Sequence, residues 1–434
     1  MSESLARIFH VVTVVWGAEY RQLFVDVCVP NQLTPGNLGA LPGGSRYRVF
    51  TSVDDAEFLR SSSAVRQAND MMPVDIVVEP AAARQARDRF TRMTACHEAA
   101  LRDAADAGAA LIFLSPDIVM SEGTLNAVVR RHAAGSRAVV CAGLRVDRDS
   151  FVSVLKRRQG PPAMPARALV SLALEELHPF TRLHMVDGTQ GPRRPISAYW
   201  NVPGEGILAR CFYMHPLMVD PVRRDVMPDG TIDQHFVVHA CPSREQIHVV
   251  TDSDELAVFE MSHTDAADTE IDDGPLSRWR AAVTLSRCDA HQRSYWNMSV
   301  RLHAGDIGPA WQPVEKQSAR FASQVRRLRI PALWMHHGSR RVRPLRRRAG
   351  SLGKRLRAAA EPLSADRVRR SALEAARPLQ KLPDRAARAS RRALVRTHRS
   401  IALLMHSASR PLRKFRKRAA KVGRRAWRRA RAAH

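Results

Sequence analysis

Residues 111–117 read Leu111-Ile112-Phe113-Leu114-Ser115-Pro116-Asp117. Together with Ala109 and Ala110 this is an apolar run bounded by Gly108 on one side and Ser-Pro-Asp on the other, the pattern of a short buried strand. The surroundings repeat the same alternation. Upstream, Ala81 to Ala107 is expected to form one long helix, with Phe90, Met93, His97 and Leu101 at spacings of three and four and Gly108 as its stop. Downstream, a helix over Thr124 to Ala134 leads to a further strand over Ala138 to Leu144.

Further out, residues 8–15 are rich in β-branched side chains and end at Trp16-Gly17, which reads as a buried first strand. A helical stretch from Glu19 to Pro30 and a Pro/Gly-rich loop from Leu33 to Gly44 come next. Tyr47 to Thr51 reads as a second strand, closed by Ser52-Val53-Asp54-Asp55 as a helix cap. A helix over Glu57 to Asn69 and a third strand over Val74 to Val78 complete the set. Strands alternating with helices over 8–145 predict an α/β fold whose mostly parallel sheet is sandwiched by helices. Ligands of such sheets lie beyond the carboxyl ends of the strands. Trp16, Gly17, Ser52, Asp54, Glu79, Ser115 and Asp117 occupy those positions.

From 150 to 315 the signals are thinner. Ala166 to Leu177 reads as a helix, and Ile207 to Val219 and Ile247 to Met261 as strands, the latter interrupted by Asp252-Ser253-Asp254-Glu255. This part is expected to complete the same sheet and to build an acceptor-side wall. Tyr199-Trp200-Asn201, followed by Pro203-Gly204-Glu205-Gly206, reads as an aromatic loop that could stack on a sugar face.

A buried strand that ends in an acidic turn, with a helix before it, resembles the GT-A-like glycosyltransferases of bacteria, which carry a nucleotide-diphospho-sugar transferase fold. The resemblance covers about 8–145, and its Asp-x-Asp is degenerate, since Ser115 stands where the first acid would be. It implies a GT-A-like domain over 1–315, with a nucleotide-sugar half at 8–145 and an acceptor half at 150–315. It also implies a nucleotide-sugar donor and a saccharide or lipid-linked acceptor. Asp117 would hold the diphosphate directly or through Mn²⁺ or Mg²⁺, hard cations that take oxygen ligands and neutralise a leaving group. His263 would be a late metal ligand and Asp233 the base that deprotonates the acceptor hydroxyl. Trp16, Asp54, Glu79 and Ser115 would line the nucleotide side. Plainer roles compete at each place: Ser-Pro-Asp, Asp54, Glu79 and Asp233 can all cap helices. The literal Asp252-Ser253-Asp254 reads as a solvated turn between strands.

Other chemistries lack their motifs. The chain contains no Walker loop, no Gly-x-Gly-x-x-Gly after a strand, no His-Glu-x-x-His and no Gly-x-Ser-x-Gly. Its cysteines, at 28, 96, 141, 211, 241 and 288, form no Cys-x-x-Cys pair, so a reducing cytoplasm is the expected setting.

Charge divides the chain in two. Of the net +27, residues 316–434 contribute +33, from 37 basic residues and only Glu361, Asp366, Glu374 and Asp384 as acids. The first 315 residues therefore carry −6. The basic segment is expected to bind polyanions. An anionic membrane surface is the favoured partner, because Leu403, Leu404, Met405, Phe415 and Trp427 are interspersed among the arginines and can enter the interface. Nucleic acid is less favoured, since the body shows no recognition helix or aromatic–basic RNA motif. The expected location is thus cytoplasmic, peripheral on the inner face of the membrane. Two other functions stay open: a nucleotide-sugar-binding protein without catalysis, which Ser115 would fit, and a nucleic-acid scaffold using the basic segment.

Overall fold

The computed structural model describes residues 7–157, 163–233, 235–265 and 269–333; the stretches around Leu403 and Phe415–Trp427 lie outside them. In chain order the strands are β1 Phe9–Val14, β2 Arg46–Thr51, β3 Val74–Val78, β4 Ala110–Phe113, β5 Ile118–Met120, β6 Ala138–Cys141 and β7 Leu144–Asp147. They continue with β8 Gln190–Pro192, β9 Ser197–Val202, β10 Gly206–Cys211, β11 His215–Val219, β12 Ile247–Val249, β13 Val258–Ser262, β14 Ile271–Asp273 and β15 Val300–His303.

The largest sheet has the order β12-β6-β11-β4-β1-β2-β3. β3, β2, β1 and β4 are mutually parallel. β11 enters antiparallel between β4 and β6, and β12 is parallel to β6. The fold is therefore α/β with a mostly parallel sheet flanked by helices, the arrangement that the GT-A resemblance implies. All residues of β1, β4 and β6 are buried. Covering a parallel sheet on both faces removes any polar face from its strands, which is why these segments are continuous apolar runs in the sequence.

Several elements divide where the sequence reads as continuous. The helix expected over 57–69 is two, Val53–Ser61 and Ser63–Met71, separated by Ser62 in an extended conformation. The helix expected over 81–107 breaks into Ala81–Arg84 and Arg89–Asp106, because the Asp88 side chain accepts hydrogen bonds from the N–H groups of Phe90 and Thr91 and starts a new helix. The apolar run 138–144 ends at Cys141 in the large sheet; Leu144 begins β7, which joins β5 and β13 in a separate three-stranded sheet. The run 247–261 likewise contributes β12 to one sheet and β13 to the other. The later part of the chain completes the main sheet only through β11 and β12.

A second core forms under β9, β10 and β15. It contains Trp200, Leu208, Phe212, Trp296, Trp311 and Phe321, with Phe212 and Trp296 stacked at 4.2 Å. A helix at 311–333 runs through the compositional break at 316: Phe321, Ala322, Val325 and Ala332 are buried on its inner face. Buried Arg210 fastens it. Its Nε donates to Ser318 Oγ at 2.7 Å, and one terminal amino group donates to the carbonyls of Trp296 and Asn297 at 3.2 and 3.0 Å, at the end of helix Ala290–Asn297. A guanidinium out of water is tolerable here because the carbonyls at a helix carboxyl end are otherwise unpaired acceptors. Removing a buried aromatic from such a core costs ~3–5 kcal/mol. Phe321→Ala is accordingly expected to destabilise the full chain by about that amount in urea unfolding; a loss below ~1 kcal/mol would show that the helix is not docked.

Candidate functional site

The chain leaves β1 through Trp16 and Gly17, and Gly17 has φ 85°, a left-handed value that favours glycine. Its N–H donates to Asp55 Oδ2 at 2.7 Å. Ser52 Oγ donates to the same oxygen at 2.7 Å, and Arg21 donates to Oδ1 at 2.6 Å. One buried carboxylate thus joins the exits of β1 and β2. Burial alone would raise its pKa; the bonds from Gly17, Ser52 and Arg21 outweigh that and hold it below the usual value. Asp54, the residue expected to face a nucleotide, is exposed on the first turn of helix Val53–Ser61. The signal for Asp55 was available: an acid three residues after a capping serine is the spacing that brings the two together.

Glu79, after β3, is buried and takes both Nε and a terminal amino group of Arg92, at 2.6 and 2.7 Å. The Arg92 guanidinium lies over the Trp16 ring at 4.4 Å. Glu79 is thus held in an ion pair, and the partly buried Trp16 is held by the cation it stacks on.

The turn after β4 does not cap the next helix, whose N-cap is Gly123. It feeds β5: the Ser115 carbonyl accepts from Ile118 N–H at 3.2 Å, and the Asp117 carbonyl accepts from Met261 N–H at 2.8 Å. β13 runs antiparallel to β5 with Glu260 opposite Ile118, so Asp117 and Glu260 share one corner. Asp117 Oδ1 is shut off from solvent and has no hydrogen-bond partner among the described residues. Burial first, and the Glu260 charge second, push the Asp117 carboxyl up to about 8, with Arg145 and Arg148 pulling the other way. Glu260 is held by Arg145 Nε at 3.1 Å and by Ser262 Oγ at 3.0 Å. Arg148, the first residue of helix Arg148–Arg157, pairs with Glu19 and, at 3.1 Å, with Asp149. The His263 ring also pairs with Glu19. The structure therefore brings Asp117 and His263 to the same corner, at the carboxyl edge of the main sheet.

Asp233 is exposed, on the loop before helix Phe236–Ala240. Thr94 Oγ1 anchors that loop by donating to the Gly230 carbonyl at 2.9 Å. The charge of Asp233 acts on His215, as does that of Glu260. The His215 Nε2 lies 3.2 Å from the Phe113 carbonyl, at the end of β4. Asp233 thus lies on the same edge as Asp117, on its solvent side.

Asp252 and Asp254 do form a turn, with Asp254 N–H donating to Asp252 Oδ1 at 2.9 Å. His303 Nε2 is 2.8 Å from Asp252 Oδ1, and its Nδ1 donates to the Gly305 carbonyl at 2.6 Å. The ligand atoms of Asp252, Asp254 and His303 lie within 4.8 Å of one another, the one such group of three among the described residues. These are donors that could hold a divalent cation. In the present geometry Arg167 clamps Asp254 through two bonds of 2.9 and 2.8 Å and reaches Asp306 at 2.6 Å. The group lies just after β12, which β6 and β11 separate from β4 in the sheet. Tyr199 and Trp200, read as a sugar-stacking loop, are instead 4 % and 3 % exposed in the β9–β10 hairpin and belong to the cores. Both faces of β9 are covered there, and of its residues only Asn201 is exposed.

No protein-family model and no curated protein matches the sequence. Among solved structures, S. aureus TarS 1–349 aligns over 31 % of this chain and 35 % of its own, with 12 % identity and a TM-score of 0.23. Mouse xyloside xylosyltransferase 1, in its apo form, aligns over 36 % of this chain and 63 % of its own, with 9 % identity and a TM-score of 0.24. The chain spans about a third of the first and less than two thirds of the second, and overlaps this loose transfer no chemistry.

Removing one member of a buried, charge-assisted group costs ~3 kcal/mol. Asp55→Ala is expected to lose about that much stability at pH 7, measured by urea unfolding. Because the folded pKa is depressed, the contribution is complete above the ordinary carboxyl range near ~4 and disappears as pH falls through the lower folded value. The gap between wild type and variant should accordingly close in acid; a gap independent of pH would refute the assignment.

Proposed function

We propose that this chain is a glycosyltransferase that moves a sugar from a nucleotide-sugar to a saccharide or lipid-linked acceptor, a precursor of cell-surface polysaccharide. The observation that carries this reading is the buried, unpartnered Oδ1 of Asp117 at the carboxyl end of β4, beside Arg145 and Arg148. A shielded carboxyl oxygen without a partner costs ~1–3 kcal/mol, and such a group is retained where a ligand completes it. The edge it occupies is where parallel α/β sheets take ligands.

In this reading Asp117 sits against the donor diphosphate. Trp16, held by the Arg92 guanidinium on its ring and partly exposed, lines the nucleotide side. Asp233, in solvent on the same edge, is placed for an acceptor to approach and serves as the base for the attacking hydroxyl. The basic segment from 316 onward holds the enzyme on an anionic bilayer, the setting of a lipid-linked acceptor. No helix among the described residues is long and apolar enough to cross a membrane. A binding protein without turnover is the second reading, favoured by Ser115 at the first acid position.

Incubation with a panel of UDP- and GDP-sugars, with released nucleotide as the readout, separates the two. Asp117→Ala is expected to lower turnover at least ~100-fold without loss of thermal stability, since its shielded Oδ1 leaves no hydrogen-bond partner behind. Asp233→Asn should lower transfer by a similar factor and leave nucleotide-sugar binding intact. Full turnover in the Asp117 variant would sink the assignment, and binding without turnover in the wild type would favour the second reading. The full chain is further expected to sediment with phosphatidylglycerol vesicles and not with phosphatidylcholine vesicles, and to be released by ~1 M salt. Equal sedimentation with both would refute the electrostatic anchor.

A further inference from the structure

We propose that Arg145 and Arg148 bind the donor diphosphate in place of a divalent cation, so that nucleotide binding in this corner is metal-independent, with Glu19 as the anion that the phosphate displaces. The proposal rests on the transferase reading above and adds to it the identity of the diphosphate ligands.

The acids of the corner do not make a cation site. Glu260 is tied to Arg145 and Ser262, and Glu19 to Arg148 and His263. Asp147 accepts from Ser150 N–H at 3.2 Å and from Thr264 Oγ1. Ser115 supplies no charge at the position of the missing acid. A hard divalent cation needs several convergent oxygens, and among the described residues the one group of three ligand atoms within reach of one another lies elsewhere, at Asp252, Asp254 and His303.

The cations of the corner do suit an anion. Arg145 and Arg148 flank the junction between β7 and helix Arg148–Arg157, a rigid mount, and both charges act on Asp117. Together they carry the two positive charges that a divalent cation would bring. Arg145 makes its ion pair through Nε and stacks on Phe180 at 4.7 Å, which orients its remaining N–H donors. Guanidinium groups match phosphate oxygens in a two-pronged geometry that ammonium groups cannot reproduce.

Glu19 explains how the site is filled when no donor is bound. Its carboxylate is shared by Arg148 and His263, and the side chain is 51 % exposed. An ion pair that exposed adds little stability, so its exchange for a phosphate carrying more charge is favourable. Glu19 lies in the first turn of the short helix Ala18–Leu23 after the Gly17 turn, so its side chain can swing to solvent without disturbing the buried Asp55 junction.

The test uses the full chain stripped of metal with EDTA, titrated calorimetrically with UDP, GDP, ADP and dTDP, each with and without added Mn²⁺. At least one nucleotide is expected to bind in EDTA, with Kd changing less than ~3-fold on adding Mn²⁺. Arg145→Gln and Arg148→Gln should each weaken that binding ~10-fold or more, with the Lys variants intermediate, and Glu19→Gln should tighten it a few-fold. The Glu19 change is at an exposed position and reads out even if an arginine variant does not fold. Tightening of ~10-fold or more by Mn²⁺ overturns metal independence and leaves the transferase reading in place. Metal-free binding indifferent to all three positions overturns the residue assignment alone. No nucleotide bound under either condition, together with no turnover on the sugar panel, overturns the transferase reading itself.

Discussion

β4 is buried at every position and bonded along both edges, to β1 and to β11. Its chain can leave the sheet only at the ends, and at the carboxyl end it leaves through Ser115-Pro116-Asp117. The whole ionisable corner depends on that exit. Proline brings no N–H to be satisfied, and the Asp117 carbonyl is met by β13. Because β13 is thereby drawn across the end of the main sheet, Glu260 arrives beside Asp117 and His263 reaches Glu19. A three-residue turn therefore recruits ionisable groups from several distant segments.

How much of this could be read from the amino acids depends on the range of the interaction. β1 and β4 were legible because parallel strands covered on both faces are apolar without interruption, a local property, whereas β2 and β3 carry Arg46, Arg48 and Asp75 and were legible from their β-branched and aromatic residues. The same property hid the division at Ala142-Gly143, where an apolar run passes from one sheet to another; at Asp252–Glu255 the interruption was legible but the change of sheet was not. Asp54 and Asp55 differ by one helical step of ~100°, which is enough to put one in solvent and the other under Gly17. Glu79 could not be read as the partner of Arg92 without the break that Asp88 makes in the intervening helix. Asp117 and His263 were each legible as strand-end residues, but their meeting rests on the β5–β13 register, which no local pattern encodes.

The division of charge is sharper in composition than in structure. Helix 311–333 presents Lys316, Arg320, Arg326 and Arg327 to solvent while its opposite face is fixed in the second core by Phe321 and Val325. Arg326 donates to Asn297 Oδ1 at 2.8 Å. The basic segment thus begins as the outer face of a packed amphipathic helix, and its first cations have the orientation of the body rather than of a linker.

In the proposed reading, the corner at Asp117 reconciles an acidic body with an anion site. Two carboxyls this close in a partly dry setting cannot both be charged at low cost. Arg145 treats the two differently: it reaches Glu260 directly at 3.1 Å, whereas it acts on Asp117 only through space. Asp117 is the carboxyl that burial and its acidic neighbour push up, to about 8. A protonated Asp117 is a hydrogen-bond donor, and its charge no longer opposes a phosphate. Burial first, and the proximity of a second acid after it, would turn Asp117 from a competitor of a bound phosphate into one of its partners.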